Sequence, residues 1–147
     1  MPVIQKYETT RTRSDKSLPS GNETILLVDD ELSIAKIGTR ILEKLVYTVS
    51  TKTSSVEALE EFRSDPDRYD LVISDMTMPN LTADKLAAEL IKIRSDIPII
   101  ILTGYSKKMS EELAARIGIK WLINKPVEMS ELARAVRNVL DKEKKPR

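Results

Sequence analysis

Between residues 23 and 141 the chain alternates two kinds of pattern, continuous apolar runs and apolar stripes at three- and four-residue spacing. The run "ETILLVDD" (residues 23–30) has the unbroken hydrophobicity of a strand buried on both faces of a parallel sheet. Ile34, Ile37, Ile41 and Leu45 then recur at helical spacing and predict one apolar face on a helix over residues 31–45. "YTVSTK" is a shorter, more polar strand of the kind found near a sheet edge. Ser54 with Glu57 forms a capping box that starts a helix predicted to bury Val56, Leu59 and Phe62. "DLVIS" is a third strand, after which Thr82 is placed to cap a helix carrying Leu86, Leu90 and Ile93. "IPIIIL" is a fourth strand, with Pro98 tolerated at its start. A helix around 107–117 carries Leu113 and Ile117, "KWLIN" is a fifth strand, and residues 129–141 form a last helix through Leu132, Val136 and Leu140. Strand and helix alternate throughout with short connections, which predicts an α/β domain: an open parallel sheet with helices on both faces.

The ends read differently. Residues 1–22 are polar, lack a sustained period and finish in Leu-Pro-Ser-Gly, as a linker or disordered leader does. Residues 142–147 form a basic tail, which leaves 23–141 as the folded domain. The chain's 147 residues are enough for one domain with a full core.

Composition narrows the chemistry. There are 24 basic and 23 acidic side chains, a net charge of +1, and so no electrostatic footprint for nucleic acid. No apolar run approaches the roughly 18 residues that span a bilayer, and no apolar signal core opens the chain, so the expected setting is cytoplasmic without membrane contact. Cysteine and histidine are both absent. That excludes disulfides, thiolate nucleophiles, Cys/His zinc sites and catalytic pairs built on histidine.

In open parallel sheets ligands bind beyond the carboxyl ends of the strands, where strand order reverses. The residues there are Asp29 and Asp30 after strand one, Asp75 after strand three, Thr103 after strand four and Lys125 after strand five. Each has an ordinary role when taken alone: a helix cap, a turn acid, a turn hydroxyl before Gly104, a solvated lysine. Together on one edge they form a reaction centre. Three carboxylates drawn close repel one another unless a cation joins them, and an all-oxygen donor set without imidazole or thiolate suits Mg²⁺. A carboxylate can attack phosphorus to form an aspartyl phosphate, with Lys125 neutralising charge and the Thr103 hydroxyl donating a hydrogen bond. Pro79 forces Met78 toward an extended conformation and steers the loop away, so that Asp75 is presented at the strand end.

The segments "ILLVDDE", "DLVISDMTMPN", "IIILTGY" and "INKPV", in that order on those strands, resemble the receiver domain of two-component response regulators over residues 23–141. The phrases "DMTMPN" and "LTGYS" look most like receivers attached to hybrid sensor kinases, which implies a detached C-terminal module or a stand-alone one. The resemblance implies a flavodoxin-like (βα)5 fold with strand order 2-1-3-4-5. It implies Asp75 as phosphoacceptor, Mg²⁺ bound by Asp30, Asp75 and the backbone carbonyl of Thr77 with Asp29 acting through a coordinated water, and Thr103 and Lys125 on the phosphoryl group. The Lys125–Pro126 bond would be cis. The implied partner is a histidine kinase or histidine phosphotransfer protein docking on the exposed face of residues 31–45, with the oligomeric state open between monomer and weak dimer. The implied output face, of the helix around 107–117, strand five and the last helix, carries Lys107, Lys108, Arg134 and Arg137; a solvated face is its ordinary reading. The chain itself would not be an enzyme beyond catalysing its own phosphorylation and dephosphorylation.

Two positions depart from the family pattern. Leu122 stands where an aromatic switch residue is usual, three before the lysine, and Trp121 lies one place earlier on the opposite strand face, where it is expected to pack against a flanking helix. Ala83 replaces a usual glycine, which would permit a positive φ. A phosphatase of the haloacid dehalogenase type would place its nucleophile after strand one with a second acid two residues on and a cap insertion, where this chain has adjacent Asp29 and Asp30, then Glu31 and Leu32, and no cap insertion. An FMN carrier would need a phosphate loop where Asp29, Asp30 and Glu31 repel phosphate. The remaining alternative is a pseudo-receiver, a phosphorylation-independent interaction module of the same fold.

Overall fold

The computed structural model describes residues 18–76, 81–103, 115–125 and 127–144. Its strands are β1 (Thr24–Val28), β2 (Thr48–Lys52), β3 (Leu71–Asp75), β4 (Ile99–Thr103) and β5 (Trp121–Asn124). They form one five-stranded sheet in the order β2-β1-β3-β4-β5, with all neighbours parallel. The described helices are α1 (Leu32–Lys44), α2 (Ser55–Ser64), α3 (Ala83–Ile93) and α4 (Met129–Lys144), with a 3₁₀ turn at Pro66–Arg68. The helix predicted around 107–117 falls largely outside the described residues, of which 115–117 are helical. The last helix runs three residues past the predicted end at 141.

Strand alternation divides the core in two. Leu26, Val28, Val72, Ile99 and Ile101 face Phe62 of α2 and Leu86 and Leu90 of α3. Ile25, Leu27, Ile73, Ile100 and Leu102 face Leu42 of α1 and Leu132, Val136 and Leu140 of α4. Both faces of β1, β3 and β4 are therefore buried, which is why those strands read as unbroken apolar runs. Burying one leucine-sized side chain contributes about 2 kcal/mol, so these two layers supply the main driving force for the fold.

Several local expectations are corrected. Val56 is 47% exposed; α2 instead buries Ser55, Ala58 and Phe62, because Val56 lies on the far side of the helix from α3 and the sheet. The Ser54 cap forms, its hydroxyl accepting from Glu57 N–H at 3.2 Å. Thr82 occupies the cap position of α3 without capping; its hydroxyl donates to Asp84 Oδ1 at 2.6 Å. Ala83 is the buried first residue of α3, and Val46 is the one non-glycine residue with positive φ among those described. The predicted stripe splits: Leu45 is buried just past α1 and Ile41 packs partly on the core, whereas Ile34 and Ile37 stay exposed with Leu32, Ile37 to 54%, and Ala35 and Leu42 take the inward positions. Trp121 is 37% exposed on edge strand β5 and belongs to neither described core layer, while Leu122 packs on the α2 and α3 side.

Residues 18–22, read from sequence as leader, lie against the domain. Leu18 packs on the α1 and α4 layer, and Gly21 N–H donates to Leu45 O at 3.1 Å. Among the described residues no helix is long and apolar enough to cross a membrane.

Candidate functional site

Strand register brings the predicted residues to one edge. Asp29 directly follows β1, Asp75 and Thr103 end β3 and β4, and Lys125 directly follows β5. The ladders continue past the strand ends, Asp29 N–H donating to Lys52 O at 3.1 Å, Met76 N–H to Leu102 O at 2.9 Å and Lys125 N–H to Thr103 O at 2.7 Å. These bonds fix the backbone from which each functional side chain projects.

Asp29, Asp30 and Asp75 each place a carboxylate oxygen within 4.8 Å of the others. Asp29 is 1% exposed and Asp75 6%, while Asp30 is exposed at the rim. Lys125 closes the group, its Nζ in direct contact with Asp75 Oδ1 and 3.8 Å from Asp29 Oδ2. Asp29 does not cap α1, whose N-cap is Glu31; its Oδ1 instead accepts from Glu31 N–H at 3.0 Å. Its Oδ2 is buried without a hydrogen-bond partner. Burial pushes the Asp29 carboxyl above its ordinary range, the Glu31 N–H opposes this, and the Asp75 charge adds to the rise. A buried anionic oxygen without a donor, beside two further carboxylates, has the chemistry of a hard divalent-cation ligand.

Thr103 is buried, and its hydroxyl donates to Asn124 Oδ1 at 2.9 Å. Sequence reading missed Asn124; the available signal was its place immediately before Lys125 at the same sheet edge, but only the register Thr103↔Asn124 shows that the two side chains are neighbours. Thr77, Gly104 and Pro126 lie outside the described residues, as do Lys107 and Lys108. Arg137, read as part of an exposed output face, is engaged by Glu23, Asp141, Tyr47 and the carbonyl of Ser20.

A cleft of about 780 Å³ runs from this edge between α1 and α4. Asp29 and Lys125 line its polar end, and Ile34, Ile37, Ile41 and Leu132 line the apolar remainder. The exposed side chains of α1 thus adjoin the acidic cluster.

Residues 25–137 match the family model of the response regulator receiver domain. The chain is 34% identical over 143 residues to sensor kinase CckA of Brucella abortus, an alignment covering 97% of this chain and 15% of that protein. It is 32% identical over 120 residues to the two-component response regulator ARR10 of Arabidopsis thaliana, covering 82% of this chain and 22% of the relative. The chain therefore spans less than a quarter of the length of either relative. A receiver domain protein from Clostridium thermocellum superposes with a TM-score of 0.79 at 34% identity, covering 83% of this chain and 97% of that one.

Proposed function

The chain belongs to the response regulator receiver domain family of two-component systems, and from that membership we propose that it accepts a phosphoryl group on Asp75 and switches conformation in response. The observation that carries the reading is the juxtaposition of Asp75 with Asp29, Asp30 and Lys125 at the carboxyl edge of the sheet. In the proposed step an Asp75 carboxylate oxygen bonds to phosphorus while the phosphorus–nitrogen bond of a phosphohistidine breaks. The electron pair leaves with the imidazole, which takes up a proton.

Asp30, Asp75 and the Thr77 carbonyl, with Asp29 through a coordinated water, would hold Mg²⁺, which would supply charge neutralisation for the transferred oxygens. Lys125 adds positive charge beside the acceptor oxygen, and the Thr103 hydroxyl donates to a phosphoryl oxygen once the group is in place. Asp30 serves as a ligand and Asp29 through a coordinated water; the direct contact of Lys125 with Asp75 Oδ1 distinguishes Asp75 as the acceptor. The donor is a histidine kinase or histidine phosphotransfer protein of the cytoplasm, docking on the apolar side chains of α1 that border the cleft. Exposed Leu32, Ile34 and Ile37 support this surface, since apolar residues clustered beside a reaction centre favour a partner that excludes water from it.

Incubation with Mg²⁺ and phosphoramidate followed by intact mass measurement tests the proposal. One added phosphoryl group in the wild type, absent in Asp75→Asn and absent with EDTA, is the expected result. No gain with any small donor would overturn it and favour the pseudo-receiver reading.

A further inference from the structure

The hydrogen bond between Thr103 and Asn124 has a consequence for switching that rests on the phosphoacceptor reading above. A threonine hydroxyl has one proton to donate. In this structure it is given to Asn124 Oδ1 at 2.9 Å. The same proton cannot also serve a phosphoryl oxygen on Asp75, so the two acceptors compete for it. The backbone cannot resolve the competition by sliding, because Thr103 and Asn124 are paired in register and Lys125 N–H donates to Thr103 O at 2.7 Å immediately beyond. The exchange therefore needs side-chain rotation, and a Thr103 hydroxyl turned to a phosphoryl oxygen gives up its bond to Asn124. The two residues also differ in environment: Thr103 is buried, whereas Asn124 sits exposed at the rim, where water can take over its amide when the hydroxyl leaves. Leu122, two residues back on the same face of β5, is apolar and packed on the α2 and α3 layer, and offers the hydroxyl no acceptor.

We propose that Asn124 is a positioning residue that latches the Thr103 hydroxyl in the unphosphorylated protein, so that activation consists of exchanging the Asn124 acceptor for a phosphoryl oxygen. The latch sets the resting state at a free-energy expense that every phosphoryl group, or mimic of one, must overcome. Removing the acceptor while keeping the side-chain shape tightens binding of such a mimic. The expected gain is about two- to tenfold, the size of one net hydrogen bond.

The test is Mg²⁺-dependent binding of beryllofluoride to the full chain, compared for wild type, Asn124→Leu, Thr103→Ala and the double variant. The latch predicts tighter binding in Asn124→Leu and no further effect of that substitution once Thr103 is alanine. Weaker or unchanged binding in Asn124→Leu, or the same gain in both backgrounds, overturns it. A wild type that binds no beryllofluoride contradicts the phosphoacceptor reading instead. The latch is then judged on the three-bond couplings to the Thr103 methyl carbon in the free protein. One fixed rotamer in the wild type and averaging in Asn124→Leu uphold it, and identical couplings in both overturn it.

Discussion

Arg137 and Glu23, 114 positions apart in the chain, form a two-pronged ion pair in which NH1 donates to Oε1 at 3.1 Å and NH2 to Oε2 at 2.7 Å. The pair fastens the start of β1 to α4, and the same guanidinium donates to the Ser20 carbonyl at 3.1 Å and to the Tyr47 hydroxyl at 3.3 Å. The bonds to Glu23 hold the guanidinium protonated still more firmly than usual. Glu23 is buried, so removing the guanidinium takes away the two charge-assisted bonds that compensate its carboxylate. Arg137→Ala is therefore expected to lower stability in urea unfolding by about 3 kcal/mol. The double variant Glu23→Leu, Arg137→Met, which leaves no uncompensated charge, should lose clearly less. A lysine at 137 cannot reproduce the fork and should recover only part of the loss.

The turn after α1 stores strain. Val46 N–H donates to Glu43 O at 2.9 Å and Tyr47 N–H to Leu42 O at 3.1 Å, the double bond of a Schellman cap, whose left-handed position is normally glycine. Here it is a β-branched residue at φ 76°, with its side chain exposed and without a core contact to lose. Val46→Gly should stabilise the protein by about 1 kcal/mol in thermal or urea unfolding, after allowing for the greater freedom of glycine in the unfolded chain.

Burial of the Asp29 carboxyl, with the Asp75 charge adding to it, predicts a pH-dependent stability. Its carboxyl titrates above the unfolded value, so its stabilising contribution is complete at pH below about 4, the ordinary aspartate range, and is lost as pH rises through the folded value. In EDTA, Asp29→Asn should melt higher than wild type at neutral pH, and the difference should shrink on acidification. Added Mg²⁺ should raise the melting temperature of the wild type and have much less effect on the variant, by mass action on the folded state.

The exposed part of α1 should distinguish a protein donor from a small one. Ile37→Glu places a charge in the apolar part of the cleft lining on α1. Phosphotransfer from a phosphorylated histidine phosphotransfer protein should slow about fivefold or more, a loss of roughly 1 kcal/mol of docking energy. The rate with phosphoramidate should change little.

Much of this site was legible because its residues sit at strand ends. Continuous apolar runs locate β1, β3 and β4, and each run gives way at its carboxyl end to polar residues, which is where Asp29, Asp75 and Thr103 lie. Helical periodicity says less, because it records which residues are apolar but not where the neighbouring layer stops. Val56 and Ile37 satisfy the period and are exposed, since α3 and the sheet cover only part of α2, and α4 leaves a cleft beside α1. The pairs Thr103–Asn124 and Glu23–Arg137 were beyond reach for a different reason. Each depends on the register or packing of elements distant in sequence, and no local spacing encodes it. Sequence pattern alone leaves Arg137 on an exposed face of the last helix, while in space it reaches Ser20 and Glu23 before β1.

The central claim, that Asp75 is the acceptor, is tested most directly by locating the phosphoryl group. Protein treated with Mg²⁺ and phosphoramidate would be reduced with borohydride, which converts an aspartyl phosphate to homoserine, then digested and sequenced by mass spectrometry. Homoserine at position 75, dependent on Mg²⁺ and appearing nowhere else, is the predicted result. Its appearance at Asp29 or Asp30, or at no position at all, would contradict the account.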